Sequence, residues 1–236
     1  DVLDVGAATG EWACMYACFD SQRKIFAVDP DIRNMNRCKA PNVKYENYGI
    51  GNTTSSFFYP DSVQNNGLSL ELDTFKKNRD DTNSNNKIPG KTVTIETIDK
   101  LFKIFQTRPS FLHIDVEGYD LYALQGGNSV INKYHPIFTI ECHVIENKDY
   151  TISLIKEATE VLNYSCYMVN EVCGSRHDCR NYICFPPTTS SSSSSSSASN
   201  SEPDKLNDIG SGSGYPSSHS HTQYLEEDVK NYISSK

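Results

Sequence analysis

The chain has 236 residues and a formal net charge of −8, with 22 Lys and Arg against 30 Asp and Glu. That length supports one domain with a sizeable core. The acidic balance argues against nucleic acid as the main partner, because phosphates are met by a basic face. No run nears the roughly 18 apolar residues that cross a bilayer.

The apolar stretch Val2–Val5 reads as a first strand running into a small-residue turn, Gly6 to Gly10. A helix near Glu11–Asp20 follows, then a second strand at Ile25–Val28 that ends on Asp29. Almost nothing precedes the first strand, so the chain reads as a fragment with a trimmed start. A helix near Ile32–Lys39 and a strand at Val43–Asn47 come next. Residues 60–91 are rich in Asn, Asp, Ser and Lys and read as a long polar excursion. Thr92–Glu96 alternates like a strand and leads into a helix at Ile98–Phe105. Phe111–Val116 is a buried strand, with a helix near Tyr119–Gln125. Ile137–Cys142 is another strand, and Tyr150–Leu162 a helix. Tyr164–Val169 and Tyr182–Phe185 suit a closing hairpin.

Composition changes after Pro187. Eight consecutive serines, Ser190–Ser197, open a Ser, Gly, Asn and Pro segment that cannot bury enough apolar surface to offset its ordering entropy. The expected organisation is therefore a folded domain over 1–187 and a disordered tail over 188–236. Leu225, Val229, Tyr232 and Ile233 fall at helical spacing in that tail, as in a marginal terminal helix. Alternating strands and helices argue for an α/β fold with a mostly parallel sheet covered on both faces.

Eight cysteines are present. Cys173, Cys179 and Cys184 with His177 lack the close Cys pairs of structural zinc sites. At least one disulfide, or free thiols, are the other readings. Two N-glycosylation sequons, Asn52-Thr53-Thr54 and Asn163-Tyr164-Ser165, add weight to a disulfide and a lumenal origin, which the sequence leaves beside a cytoplasmic one.

The first turn carries ligand chemistry. A dinucleotide fingerprint needs Gly-x-Gly-x-x-Gly so that main chain can approach a pyrophosphate. Counting from Gly6, its later glycines would be Ala8 and Glu11, which disfavours a nicotinamide oxidoreductase. The pattern is instead Asp4-x-Gly6-x-x-x-Gly10, which suits a ligand without a pyrophosphate. Gly10 opens a helix whose free N–H groups point toward that ligand. Asp29, at the end of the second strand, can accept from two ribose hydroxyls. Its plainer role is to cap a helix begun by Pro30.

A second constellation is FLHIDVEGYDLYALQG from Phe111. Asp115 and Glu117 are one residue apart, so in an extended segment both face one way and perturb each other's titration. Helix capping is the structural alternative. A third is PIFTIECH from Pro136, ending on Glu141 and His143. A histidine there suits a general base near neutral pH.

Together these segments, with FAVDP at Phe26, ENYGIGN at Glu46 and TIETIDKL at Thr94, resemble the FkbM family of S-adenosylmethionine-dependent methyltransferases. The resemblance spans Val2 to about Pro187. It implies a class I, Rossmann-like methyltransferase fold: a seven-stranded sheet whose last strand runs antiparallel. It implies transfer of a methyl group to a hydroxyl of a sugar, lipid or polyketide-like acceptor. Carried over by position, Asp4, Gly6, Ala7 and Gly10 would line the methionine end of S-adenosyl-L-methionine. Asp29 would hold the ribose, and Asn47 and Tyr48 would lie near the adenine. His143 would be the base, oriented by Glu141, with Asp115 and Glu117 contacting cofactor or acceptor. No metal is expected, although Asp115, Glu117 and Glu141 are hard oxygen donors that suit Mg²⁺. The reading from a different class is a catalytically inactive methyltransferase-like binding domain.

Overall fold

A computed structural model describes residues 1–31, 39–60, 90–143, 148–169 and 179–187, with the backbone alone at 57–60, 143 and 179. The expected helix at 32–39, the interior of the 60–91 excursion, the hairpin loop with Cys173 and His177, and the tail over 188–236 lie outside the described residues.

Seven strands form the main sheet. In chain order its members are β1 (Val2–Val5), β2 (Ile25–Val28), β3 (Val43–Glu46), β7 (Phe111–Ile114), β8 (Ile137–His143), β9 (Ser165–Met168) and β10 (Cys179–Phe185). Their spatial order is β3-β2-β1-β7-β8-β10-β9. The first five in that order are parallel, and β10 runs antiparallel to both neighbours. This is the Rossmann-like methyltransferase layout expected from the sequence. The order reverses direction at β1, so the carboxyl ends of β1 and β7 flank a topological switch point, where open α/β sheets bind ligands.

Period-two alternation sorts the two sheet faces. Leu3, Val5, Phe26, Val28, Leu112, Ile114, Phe138 and Ile140 join the larger core. That core is closed by α2 (Ile98–Phe105), α3 (Asp120–Gln125), α4 (Asn128–Tyr134) and α5 (Lys148–Lys156). Val2, Ile25 and Ala27 face the other way and pack on Ala13 and Ala17 of α1 (Glu11–Phe19). Small residues on α1 let the helix sit close to the sheet. α2 starts where the Thr97 side chain accepts from the Lys100 N–H at 3.1 Å, and it buries Ile98, Leu101 and Phe102.

Several sequence expectations change. Thr92–Glu96 is a strand, but it belongs to a second, three-stranded sheet of order β4-β6-β5. Its members are β4 (Gly49–Ile50), β5 (Ser55–Pro60) and β6 (Gly90–Glu96). The two ends of the polar excursion are therefore paired strands, with Pro60 opposite Gly90. β5 went unread because its pairing partner, β6, lies some 30 residues on in the chain. α4 had no counterpart in the sequence reading. Asp99 accepts from Ser129 N–H and Val130 N–H and caps it across the chain. The helix expected over Tyr150–Leu162 is α5 followed by one π-helical turn, Glu157–Val161.

Candidate functional site

The parallel strands place Gly6, Asp29, Asn47, Asp115, Glu141 and His143 at one edge of the sheet. Main-chain bonds extend that edge past the strands. Gly6 N–H and Ala7 N–H both donate to the Val28 carbonyl, Asp29 N–H to Glu46, and Asp115 N–H to Val5, at 2.9–3.2 Å. The first and second constellations are thus welded together. Gly6 has φ +81°, and a Cβ there would overlap the Asp115 carbonyl oxygen. Glycine is required twice over, by backbone conformation and by space.

The turn after β1 is held by Asp29. One carboxylate oxygen accepts from Ala8 N–H at 2.9 Å and the other from Asp31 N–H at 2.6 Å. Ala8 adopts φ +44°, a left-handed conformation that a non-glycine residue takes only when its surroundings fix it. Burial pushes the Asp29 carboxyl above its usual range, against the opposing pull of those two N–H donors. Asp29 therefore braces the turns at Ala8 and Asp31, and each oxygen keeps a further lone pair for a ligand hydroxyl. Gly10, with φ +78°, is the N-cap of α1 and offers no side-chain cap to that helix. The Tyr45 phenol stands over it, where a Cβ on Gly10 would lie 3.1 Å from the hydroxyl oxygen. The Ala7 side chain turns into the smaller core.

Asn47 is committed to the main chain. Its amide donates to the carbonyls of Asp29 and Pro30 at 3.2 and 2.8 Å, bracing the loop after β2. Tyr48 packs partly buried against the larger core. Asp4 is fully buried (0% exposed) on the α1 face, and its Oδ1 lies 2.9 Å from Nδ1 of His113, its register partner on β7. Asp4 Oδ2 has no partner among the described residues. Trp12 of α1 lies against His113, with ring centroids 5.2 Å apart.

The acidic cluster forms, but not for the reason the spacing suggested. Residues 115–118 are a turn, not extended strand. Glu117 has φ +51° and Gly118 φ +91°. The carboxylates of Asp115 and Glu117 still meet, joined by Glu141 from β8, with ligand oxygens all within 4.8 Å of one another. Glu141 is 7% exposed. Burial, then the charge of Glu141 and a hydrogen bond to it, hold the Asp115 carboxyl well above the usual carboxylate range. One proton shared between Asp115 and Glu141 relieves this repulsion. A divalent cation would do the same, and the three carboxylates are the described groups that could hold one. His143 closes β8 with its backbone opposite Cys179.

Sequence reasoning missed Asp120. It is 1% exposed at the start of α3, and its carboxylate accepts from Val116 N–H and Gly118 N–H, both at 3.1 Å. It shapes the turn that carries Glu117. An Asp two residues after a glycine turn was the available signal. His113 was also missed, though it shares the Phe111-His113-Asp115 alternation. A separate cleft of about 490 Å³, bounded by Lys103, Arg108 and Lys133, lies at the amino ends of β7 and β8, away from this chemistry.

The Gly6–Gly10 turn has the room that the methionine end of S-adenosylmethionine would need. Its side chains are no larger than Thr9, and Gly10 gives α1 no side-chain cap, an N-terminus that would suit a carboxylate. The profile of the Methyltransferase FkbM domain matches residues 4–176. A crystal structure of methyltransferase FkbM from Methylobacillus flagellatus KT superposes with a TM-score of 0.50 at 18% identity. The superposition covers 78% of this chain and 43% of that one, so the chain spans under half the length of that protein. The curated proteins contain no match.

Proposed function

The chain belongs to the FkbM methyltransferase family, and from that premise we propose that it is an S-adenosylmethionine-dependent O-methyltransferase acting on a hydroxyl of a sugar, lipid or polyketide-like molecule. The observation that carries the reading is the junction of the Gly6–Gly10 turn with the Asp115–Glu141–Glu117 cluster at one sheet edge. A cofactor site and an acid–base site are thereby adjacent.

When bound, the cofactor supplies an electrophilic methyl group on a sulfonium. Gly6 and Gly10 leave main chain open to its methionine end, the first turn of α1 receives its carboxylate, and Asp29 accepts from its ribose. Asn47 and Tyr48 flank the adenine side, Asn47 by holding the loop that presents Asp29. Asp4 acts from below the turn rather than by contact, since it is fully buried. The protein's larger task is to fix an acceptor oxygen in line with the methyl carbon, which supplies several kcal/mol of the barrier. A base adds about 10²–10⁴-fold. His143 is that base, with Glu141 beside it on β8, and Asp115 and Glu117 hold acceptor hydroxyls.

Calorimetric titration of the full chain with S-adenosylmethionine and S-adenosylhomocysteine tests the cofactor. Binding of both, weakened in Asp29→Ala, supports the reading. No binding by a folded chain overturns it in favour of a methyltransferase-like domain without cofactor. Methyl transfer from radiolabelled cofactor to hydroxylated sugars and lipids then tests the acceptor class.

A further inference from the structure

We propose that this chain folds in an oxidising lumenal or extracellular compartment and carries N-linked glycans on Asn52 and Asn163. Two unrelated features meet in this assignment, and neither serves the site at the sheet edge.

The first is redox. Cys166 and Cys184 are register partners on β9 and β10 and form a disulfide across 18 residues of sequence. Both are buried in the larger core, where they close the antiparallel end of the main sheet. Cys14 of α1 is disulfide-bonded as well. Among the described cysteines only Cys18 and Cys142 are free thiols, and Cys142 is buried. Structural disulfides persist where thiols are not kept reduced, which excludes the ordinary cytosol.

The second is accessibility. Both sequon asparagines are exposed and sit outside regular structure, Asn52 between β4 and β5 and Asn163 between the π-helical turn and β9. Asn163 is in the left-handed region at φ +58°, in a tight turn that throws its side chain outward. Asn52 makes one long contact, 3.4 Å from its amide to the Gln125 side chain. Neither amide is needed by the core. Asn163 precedes β9, which runs parallel to β8, so it lies at the edge opposite Asp115 and Glu141. A bulky glycan there leaves that edge open.

The chemistry balances with agents that a lumen supplies. A lipid-linked oligosaccharide diphosphate is the glycosyl donor. The bond from its anomeric carbon to the diphosphate oxygen breaks, a bond to Asn Nδ2 forms, and one amide proton leaves with the lipid diphosphate. The Cys166–Cys184 bond forms by exchange with a protein disulfide, which takes up the electron pair and both protons as two thiols.

The test uses the full-length protein isolated from its own cells, with thiols alkylated at lysis in denaturant so that burial protects no free thiol. Peptide N-glycosidase F should lower its apparent mass. Peptide mapping should then find Asp in place of Asn at positions 52 and 163, the mark left by a released N-glycan. Cys166 and Cys184 should resist alkylation until reduced, while Cys18 is alkylated directly. Unconverted Asn at either position overturns that glycan. Alkylation of Cys166 and Cys184 without reduction overturns the compartment.

Discussion

Gly6 and Asp115 are packed so closely that a methyl group on Gly6 would occupy the space of the Asp115 carbonyl oxygen. This contact joins the cofactor turn to the acidic cluster, and substitution there should disturb both. In Gly6→Ala the left-handed φ costs about 1–2 kcal/mol, and the overlap costs about a further 1–3 kcal/mol. A lower melting temperature and loss of cofactor binding are expected by scanning fluorimetry and calorimetry. Gly10→Ala carries the same left-handed φ but meets only the Tyr45 phenol and no backbone, so its loss should be smaller. Equal losses would remove the special role given to the Gly6–Asp115 contact.

Asp29 both braces the turn and is proposed to hold the ribose. Asp29→Asn keeps one acceptor oxygen for two backbone donors, so about 1–3 kcal/mol of stability is lost. Asp29→Ala loses both and should cost more. Cofactor affinity should fall at least about tenfold in either variant, since a hydrogen bond to a charged group is worth about 1.5–3 kcal/mol. A stable Asp29→Asn protein with unchanged affinity would leave Asp29 as a turn brace alone.

Asp120 makes stability depend on pH. Burial raises its carboxyl from 3.8 to about 7, despite the N–H groups of Val116 and Gly118 that pull it down. Between those values the folded state binds more protons than the unfolded state, so stability falls as pH rises through the window. That amounts to about 4 kcal/mol, fully present below pH 4 and lost by about pH 7. Asp115 shifts the same way. Other carboxylates oppose this trend in acid, so the readout is the difference between proteins. Thermal melts from pH 5 to 8 should show a steeper decline for the parent than for Asp120→Asn. Parallel declines would refute the shift.

His143 and the carboxylates divide the chemistry. His143→Ala should lower turnover about 10²–10⁴-fold with cofactor affinity near that of the parent. A strong chelator should leave turnover unchanged, because Asp115 and Glu141 are expected to share a proton rather than a cation. Activity abolished by chelation and restored by Mg²⁺ would assign the three carboxylates to a metal instead.

The sequence by itself determined the alternating strands and helices, the Gly6–Gly10 turn, the acidic strand end at Asp29, and the family. These are local signals: period-two apolar runs, small residues in a turn, a carboxylate at a fixed offset. The tertiary structure alone decided which of those residues are spoken for. Asp4 looked like a ligand contact and is fully buried against His113, because register across β1 and β7 puts the two side by side. Asn47 looked like an adenine contact and spends its amide on two carbonyls 17 and 18 residues away in sequence. Glu117 joins Asp115 through a left-handed turn fixed by Asp120, not through strand alternation. β5 and α4 escaped notice because their pairing and capping partners, β6 and Asp99, are far along the chain. Local pattern reports what a segment prefers, whereas long-range hydrogen bonds and burial decide what each polar group is left free to do.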